Sequence, residues 1–144
     1  MERVLNGRPV VAGSAKGMAV VSTQSISFWG GLDPRSGEII DRRHERSGSI
    51  VSGKVFVFPR GKGSSTASAV LLESIKLGTA PAAIITANVD PILALGAIVA
   101  EKLYHKIVPV IVVSQEDYDV ISAGDHLTIT ANGTITVNRS QPTP

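Results

Sequence analysis

Short β-branched runs at residues 10–12 and 18–22 flank Gly13-Ser14-Ala15-Lys16-Gly17, a pattern that predicts two strands joined by a tight glycine-bounded turn. From Ile26 to Gly37 no period is sustained. Asp33-Pro34 and Ser36-Gly37 are turn formers, so Ile26-Ser27-Phe28-Trp29-Gly30-Gly31-Leu32 and the residues after it read as a shaped loop. The chain stays polar to Ser49, and Asp41-Arg42-Arg43-His44-Glu45-Arg46, carrying both signs of charge, reads as a solvated segment.

Val55-Phe56-Val57-Phe58 is an apolar run suited to a strand buried on both faces, ended by Pro59. After Arg60-Gly61-Lys62-Gly63-Ser64-Ser65-Thr66, residues Ala67, Val70, Leu71, Ser74 and Leu77 recur at helical spacing until Gly78 supplies a stop. Residues 82–87 form another apolar strand. Asp90-Pro91 then reads as an N-cap with proline at the first helical position, opening a helix whose apolar stripe Ile92, Leu95, Val99, Leu103 runs to about His105. Residues 108–113 return as a strand, and 125–130 with 134–137 alternate about Ala131-Asn132-Gly133, the signature of a hairpin. The order predicts an α/β domain with parallel pairs in its centre and antiparallel strands outside. The 144 residues read as a single domain, 1–144, with a fraying end at about 139–144.

Composition narrows the chemistry. Hydrophobic residues make up 43% of the chain, enough for a globular core, and no apolar run approaches the ~20 residues of a membrane span. The net charge of +2 comes from scattered Lys and Arg with no aromatic-studded basic stripe, which argues against nucleic acid as a partner. No apolar signal segment opens the sequence, so a cytoplasmic location is expected. Cysteine is absent, which leaves no thiolate nucleophile and no cysteine ligand for zinc or an iron–sulfur cluster in these residues.

The sharpest local signal is Gly61-Lys62-Gly63-Ser64-Ser65-Thr66 between strand and helix. Glycines admit a ligand close to the backbone, and the helix start offers free amides and about half a positive charge, the setting for a carboxylate or phosphate. Arg60 and Lys62 add cations there, and Ser64 and Ser65 add hydroxyls. The order is not that of a Walker A loop. A plainer reading makes Ser64 or Ser65 only the N-cap. No Gly-x-Ser-x-Gly elbow or triad spacing supports a hydrolase. Serine can instead accept a proton where helix amides and cations stabilise its alkoxide. Trp29, the only tryptophan, reads either as packed against the domain or as facing a partner. His105 and His126 read as structural, and His44 as solvated.

Taken together, Ile26-Ser27-Phe28-Trp29-Gly30-Gly31-Leu32-Asp33-Pro34, Ser36-Gly37, Asp41, His44, Gly61-Lys62-Gly63-Ser64-Ser65, Ala80-Pro81 and Leu95-Gly96 resemble the small subunit of aconitase X. The resemblance runs from about Gly13 to the final hairpin and implies a swivelling β/β/α domain like the fourth domain of aconitase, a barrel-like mixed sheet with flanking helices. It implies a hydro-lyase completed by a large subunit that holds the iron–sulfur cluster. It makes Ser64 the proton acceptor, and Gly63, Ser65, Arg60 and Lys62 contacts to a small anionic substrate. Phe28, Trp29, Gly30, Gly31, Asp33 and His44 form a loop at the site or subunit seam. Thr66 stands where true aconitase has an arginine, which argues against citrate or isocitrate. The family's activities are dehydration of cis-3-hydroxy-L-proline and of 5-phosphomevalonate; Asp41-Arg42-Arg43-His44 and the segment 92–104 look closer to the first type. Two rivals of another class are a phosphoryl-carrier swivel domain, whose Thr-x-Gly-Gly-x-x-x-His arrangement is not found, and a non-catalytic anion-binding module.

Overall fold

The computed structural model describes residues 2–61 and 66–139. In chain order the elements are β1 (Glu2–Asn6), β2 (Arg8–Val11), β3 (Ala15–Val21), a kinked turn of helix α1 (Phe28–Gly31), β4 (Val55–Phe58), α2 (Thr66–Leu77), β5 (Ala83–Thr86), α3 (Pro91–Tyr104), β6 (Val110–Val112), α4 (Gln115–Val120), β7 (His126–Ile129) and β8 (Thr134–Asn138). They build one eight-stranded sheet in the order β1-β8-β7-β3-β4-β5-β6-β2. The central run β3-β4-β5-β6 is parallel, with antiparallel β7, β8 and β1 on one side and antiparallel β2 on the other. This is the mixed sheet that the alternation of strands and helices predicts.

The two outermost strands are neighbours in sequence, separated by Gly7 alone, so the chain itself carries one end of the sheet to the other and the sheet nearly closes as a barrel. Gly7 N–H donates to the Gly133 carbonyl at 2.9 Å across that seam. The same closure corrects the expected turn between residues 10–12 and 18–22. Strand β2 lies on β6 and β3 lies between β7 and β4, so the two do not pair. Gly17 marks no turn because it sits inside β3.

Strand alternation divides the core in two. Val55 and Val57 join Leu5, Ala19, Ala83, Ile85, Ile111, Leu127, Ile129, Ile135 and Val137 in the barrel interior. Phe56 and Phe58 point the other way, beneath α2 and α3, with Leu71, Ile75, Leu93 and Ala97. All four side chains of β4 are fully buried, as its unbroken apolar run requires. Helix α3 starts as expected, with Asp90 accepting the Leu93 N–H at 3.0 Å and Pro91 behind it, and ends at His105 in the left-handed conformation. Its buried face is not the expected one, however. Leu93, Ala94, Gly96, Ala97 and Ala100 face inward, while Ile92, Leu95 and Leu103 are exposed. Apolar residues on most faces of α3 leave its pattern ambiguous, and the small residues face inward where the backbones come close: a Cβ at Gly96 would lie 2.5 Å from the Ser68 carbonyl oxygen of α2. In α2 the same inward set is Ala67, Leu71, Ser74 and Ile75, with Leu77 left outside.

Strand β1 and helix α4 fall outside the sequence expectation. Only Leu5 is buried in β1, so its pattern carries too little alternation to be read. Helix α4 is a six-residue helix with a legible cap: the Ser114 hydroxyl accepts the Asp117 N–H at 3.1 Å. No helix among the described residues is long and apolar enough to cross a membrane.

Candidate functional site

The glycine-rich segment after β3 is anchored by its apolar members. Ile26 and Phe28 are each 1% exposed, and the Phe28 ring packs on Phe56 and Phe58 with centroids 6.2 and 5.9 Å away. Phe28 therefore belongs to the core and fixes the loop from beneath. The next residue leaves it: Trp29 adopts a non-helical φ/ψ and is 63% exposed, which corrects the reading of its ring as packed against the domain. Gly30 follows at φ 76°. Asp33 is taken up by the next turn, its carboxylate accepting the Arg35 N–H at 2.9 Å and its carbonyl the N–H groups of Ser36 and Gly37. The Arg35 amide holds that carboxyl below its ordinary value.

Within residues 41–46, Arg42, Arg43 and Glu45 are exposed, as a solvated segment requires, but His44 departs from that reading. His44 is 6% exposed and clamped at both ring nitrogens. The Arg46 N–H donates to Nδ1 at 3.1 Å, which leaves Nε2 to donate to the fully buried Ser22 hydroxyl, also at 3.1 Å. Ser22 Oγ accepts a second bond from the Gln24 N–H at 3.0 Å and passes its own proton to Glu45 Oε1 at 2.9 Å. Glu45 also accepts from the Thr23 backbone and hydroxyl, the Glu45 N–H donates to Gln24 Oε1, and Arg46 Nε donates to the Val21 carbonyl. From below, Tyr118 donates to the Ser22 carbonyl, and burial raises its pKa. A charged-looking stretch thus becomes a strap fastened to the end of β3.

The Thr23 backbone N–H, helped by the Ser22 hydroxyl, holds Glu45 down to about 2 from an ordinary 4.5. A depressed carboxylate stabilises the fold above its unfolded pKa and loses that contribution as pH falls through the folded one. We therefore expect wild type and Glu45→Gln to differ by a constant unfolding free energy above about pH 4.5 and to converge between 4.5 and 2. Urea midpoints measured across that range check this; a gap that persists at pH 2 would show the contribution is not electrostatic.

Strap and loop together enclose a cleft of about 650 Å³ lined by Gln24, Ser25, Ser27, Trp29, Gly30, Gly31, Asp41, Arg43 and His44. A parallel bridge pairs Ile26, which lies between the lining residues Ser25 and Ser27, with Gly61. Side-chain space at Gly61 is filled from the other side, since a Cβ there would sit 2.2 Å from the Asp90 carboxylate that caps α3. Arg60 is exposed and is not among the cleft's lining residues. Lys62, Gly63, Ser64 and Ser65 lie outside the described residues, and α2, whose N-terminal amides and dipole favour anions, begins at Thr66.

Of the expected loop residues, Trp29, Gly30, Gly31 and His44 meet at one cleft, whereas Phe28 lies beneath it and Asp33 beside it. His105 caps a helix and His126 is an exposed strand residue. Gln24 and Ser25 are cleft residues that the sequence did not single out; the polar run Ser22-Thr23-Gln24-Ser25 directly after an apolar strand is the signal that would have found them. Cysteine is absent from the sequence, and no group of three His, Cys, Asp or Glu with metal-holding geometry occurs among the described residues, so these residues do not fit an iron–sulfur cluster. What they offer is hydroxyls, amides and charges of both signs around a solvent-filled recess.

Known proteins resemble this chain in sequence and fold. The chain is 45% identical to a cis-3-hydroxy-L-proline dehydratase of Pseudomonas aeruginosa over 95% of its own length but 23% of that protein's. It is 39% identical to the phosphomevalonate dehydratase small subunit of Methanosarcina mazei, over 88% of this chain and 83% of that one. The chain thus spans about a quarter of the length of the hydroxyproline dehydratase it matches. The crystal structure of Thermococcus kodakaraensis aconitase X in its holo-form superposes with a TM-score of 0.85 at 34% identity, covering 95% of this chain and 99% of that one. With the aconitase X swivel domain model matching residues 4–137, nearly the whole of the near-closed barrel and its cleft, the chain belongs to the aconitase X swivel-domain family.

Proposed function

We propose that this chain is the small subunit of an aconitase X-type dehydratase, a hydro-lyase that removes water from cis-3-hydroxy-L-proline. Ser64 is the proton acceptor, and a large subunit holds the iron–sulfur centre. The observation that carries the reading is the Ile26–Gly61 bridge, which joins the entry of the glycine-serine loop to the loop that lines the cleft. Chemistry at such a seam needs a base whose anionic form is tolerated. The start of α2 supplies about half a positive charge, and Arg60 and Lys62 flank the loop. On this reading Gly63 and Ser65 contact the substrate, whose anionic group Arg60 and Lys62 attract, and the loop carrying Trp29 faces the partner. The location that goes with it is the cytoplasm.

A second substrate, 5-phosphomevalonate, is favoured by one observation: the chain covers most of the length of the Methanosarcina small subunit named for that activity. Both substrates bring an anion to the loop, so charge alone does not separate them. The test is co-expression with an aconitase X large subunit and dehydration assays on each compound. Turnover of cis-3-hydroxy-L-proline is the expected result; turnover of phosphomevalonate alone reassigns the substrate, and turnover of neither overturns the dehydratase reading. Labelling with phosphoenolpyruvate addresses the carrier alternative, for which no label is expected.

A further inference from the structure

The cleft holds two opposite charges that do not neutralise each other. Asp41 and Arg43 both line it, and among the described residues neither side chain forms an ion pair. Both are held at fixed places on the strap. Ile40 N–H donates to the Gly31 carbonyl at 2.9 Å, tying the residue before Asp41 to the Trp-Gly-Gly loop. The Asp41 carbonyl accepts the His44 N–H at 3.0 Å, and Asp41 Oδ1 accepts the Arg43 N–H at 3.0 Å, so a single tight turn sets the spacing of the two residues. Beyond Arg43 the buried His44 and the clamped Glu45 and Arg46 lock that turn to β3. Asp41 keeps one carboxylate oxygen outside the turn hydrogen bond, and the Arg43 side chain is exposed to the recess.

We propose that Asp41 and Arg43 read a zwitterion: Asp41 receives the ring ammonium of a cyclic imino acid and Arg43 its carboxylate. The proposal rests on the dehydratase reading for the substrate's class, and adds the residues that choose within it. A purely anionic substrate would meet Arg43 favourably but Asp41 unfavourably, and opposite charges carried on one fixed turn discriminate as much by that repulsion as by attraction. A planar guanidinium suits a carboxylate in two-point contact, which a lysine at the same place would not reproduce.

Because Trp29 lines the same cleft and is the only tryptophan of the chain, its emission reports occupancy directly. The full chain is titrated at constant ionic strength with L-proline and with tetrahydrofuran-2-carboxylate, which keeps the ring and carboxylate but lacks the ammonium. Expected is a saturable change with L-proline at least tenfold tighter than with the oxygen analogue. Asp41→Asn should erase that preference, and Arg43→Gln should weaken both ligands at least tenfold. Equal binding of the two ligands by wild type, a preference that survives Asp41→Asn, or no saturable response each overturns the assignment. Dehydration by the assembled enzyme is scored separately. Turnover of cis-3-hydroxy-L-proline without these effects defeats the pair alone, while the titration result without turnover defeats the dehydratase reading and leaves the pair standing.

Discussion

On the role proposed for Ser64, Ser64→Ala in the complex with a large subunit is expected to lower kcat by about 10²- to 10⁴-fold, the usual worth of a positioned proton acceptor, with assembly and thermal stability preserved. A serine on its own is a poor proton acceptor. Its hydroxyl is a weak base, and its alkoxide persists only where something offsets the negative charge. Here the sequence sets Ser64 two residues before α2, a twelve-residue helix whose first amides have no partner within the helix, and between Lys62 and that helix start. The competing explanation, that the serine only caps α2, predicts a different pair of numbers. Loss of a cap costs about 1 kcal/mol of stability and leaves chemistry alone. Thermal unfolding and steady-state kinetics on Ser64→Ala and Ser65→Ala therefore separate the roles. A Ser64→Ala enzyme that keeps most of its kcat but melts earlier assigns the residue to the cap.

The central elements were legible because their signals are local. A four-residue apolar run that is buried on both faces needs no tertiary information to be read as a strand, and β4 is one. Asp90-Pro91 states a helix start in two residues, and the start is found there. The readings that failed depend on partners remote in sequence. Residues 8–11 are strand-like in isolation, but nothing local says that their neighbour is β6, a hundred residues later, rather than β3. His44 sits among charges, and it is held by Ser22 at the end of β3, itself fixed by Gln24 and Tyr118, an approach that no spacing rule encodes. The inward face of α3 was invisible for a third reason: with apolar residues on most faces, the choice was made by the shape of α2. Of the site, the glycine-serine loop and the Trp29 loop could be picked out singly. That the segment entering the Trp29 loop pairs with Gly61, the described residue just before Lys62, follows from the Ile26–Gly61 bridge, a long-range pairing that no local signal encodes.

The seam of the barrel is where one methyl group should matter most. Gly133 closes the β7–β8 hairpin: its N–H donates to the Thr130 carbonyl at 3.0 Å, and its φ of 91° lies in the region that L side chains avoid. The added Cβ of Gly133→Ala would also lie 2.4 Å from the Gly7 carbonyl oxygen and 2.8 Å from Pro9 Cδ. Both obstacles are backbone or ring atoms, so relief requires moving the β1–β2 junction off the hairpin and stretching the Gly7-to-Gly133 hydrogen bond. Left-handed strain of about 1–2 kcal/mol and overpacking of about 1–3 kcal/mol together give an expected loss on the order of 3 kcal/mol, or roughly 10 °C in Tm. Gly7→Ala is the informative comparison, because its Cβ meets mainly the Ile111 Cγ2 methyl, a side-chain rather than a backbone atom, and Gly7 carries no positive φ. Chemical denaturation of the two variants should rank Gly133→Ala well below Gly7→Ala. The reverse order would mean that the side-chain packing of β6, not the backbone contact at the seam, governs how this sheet closes.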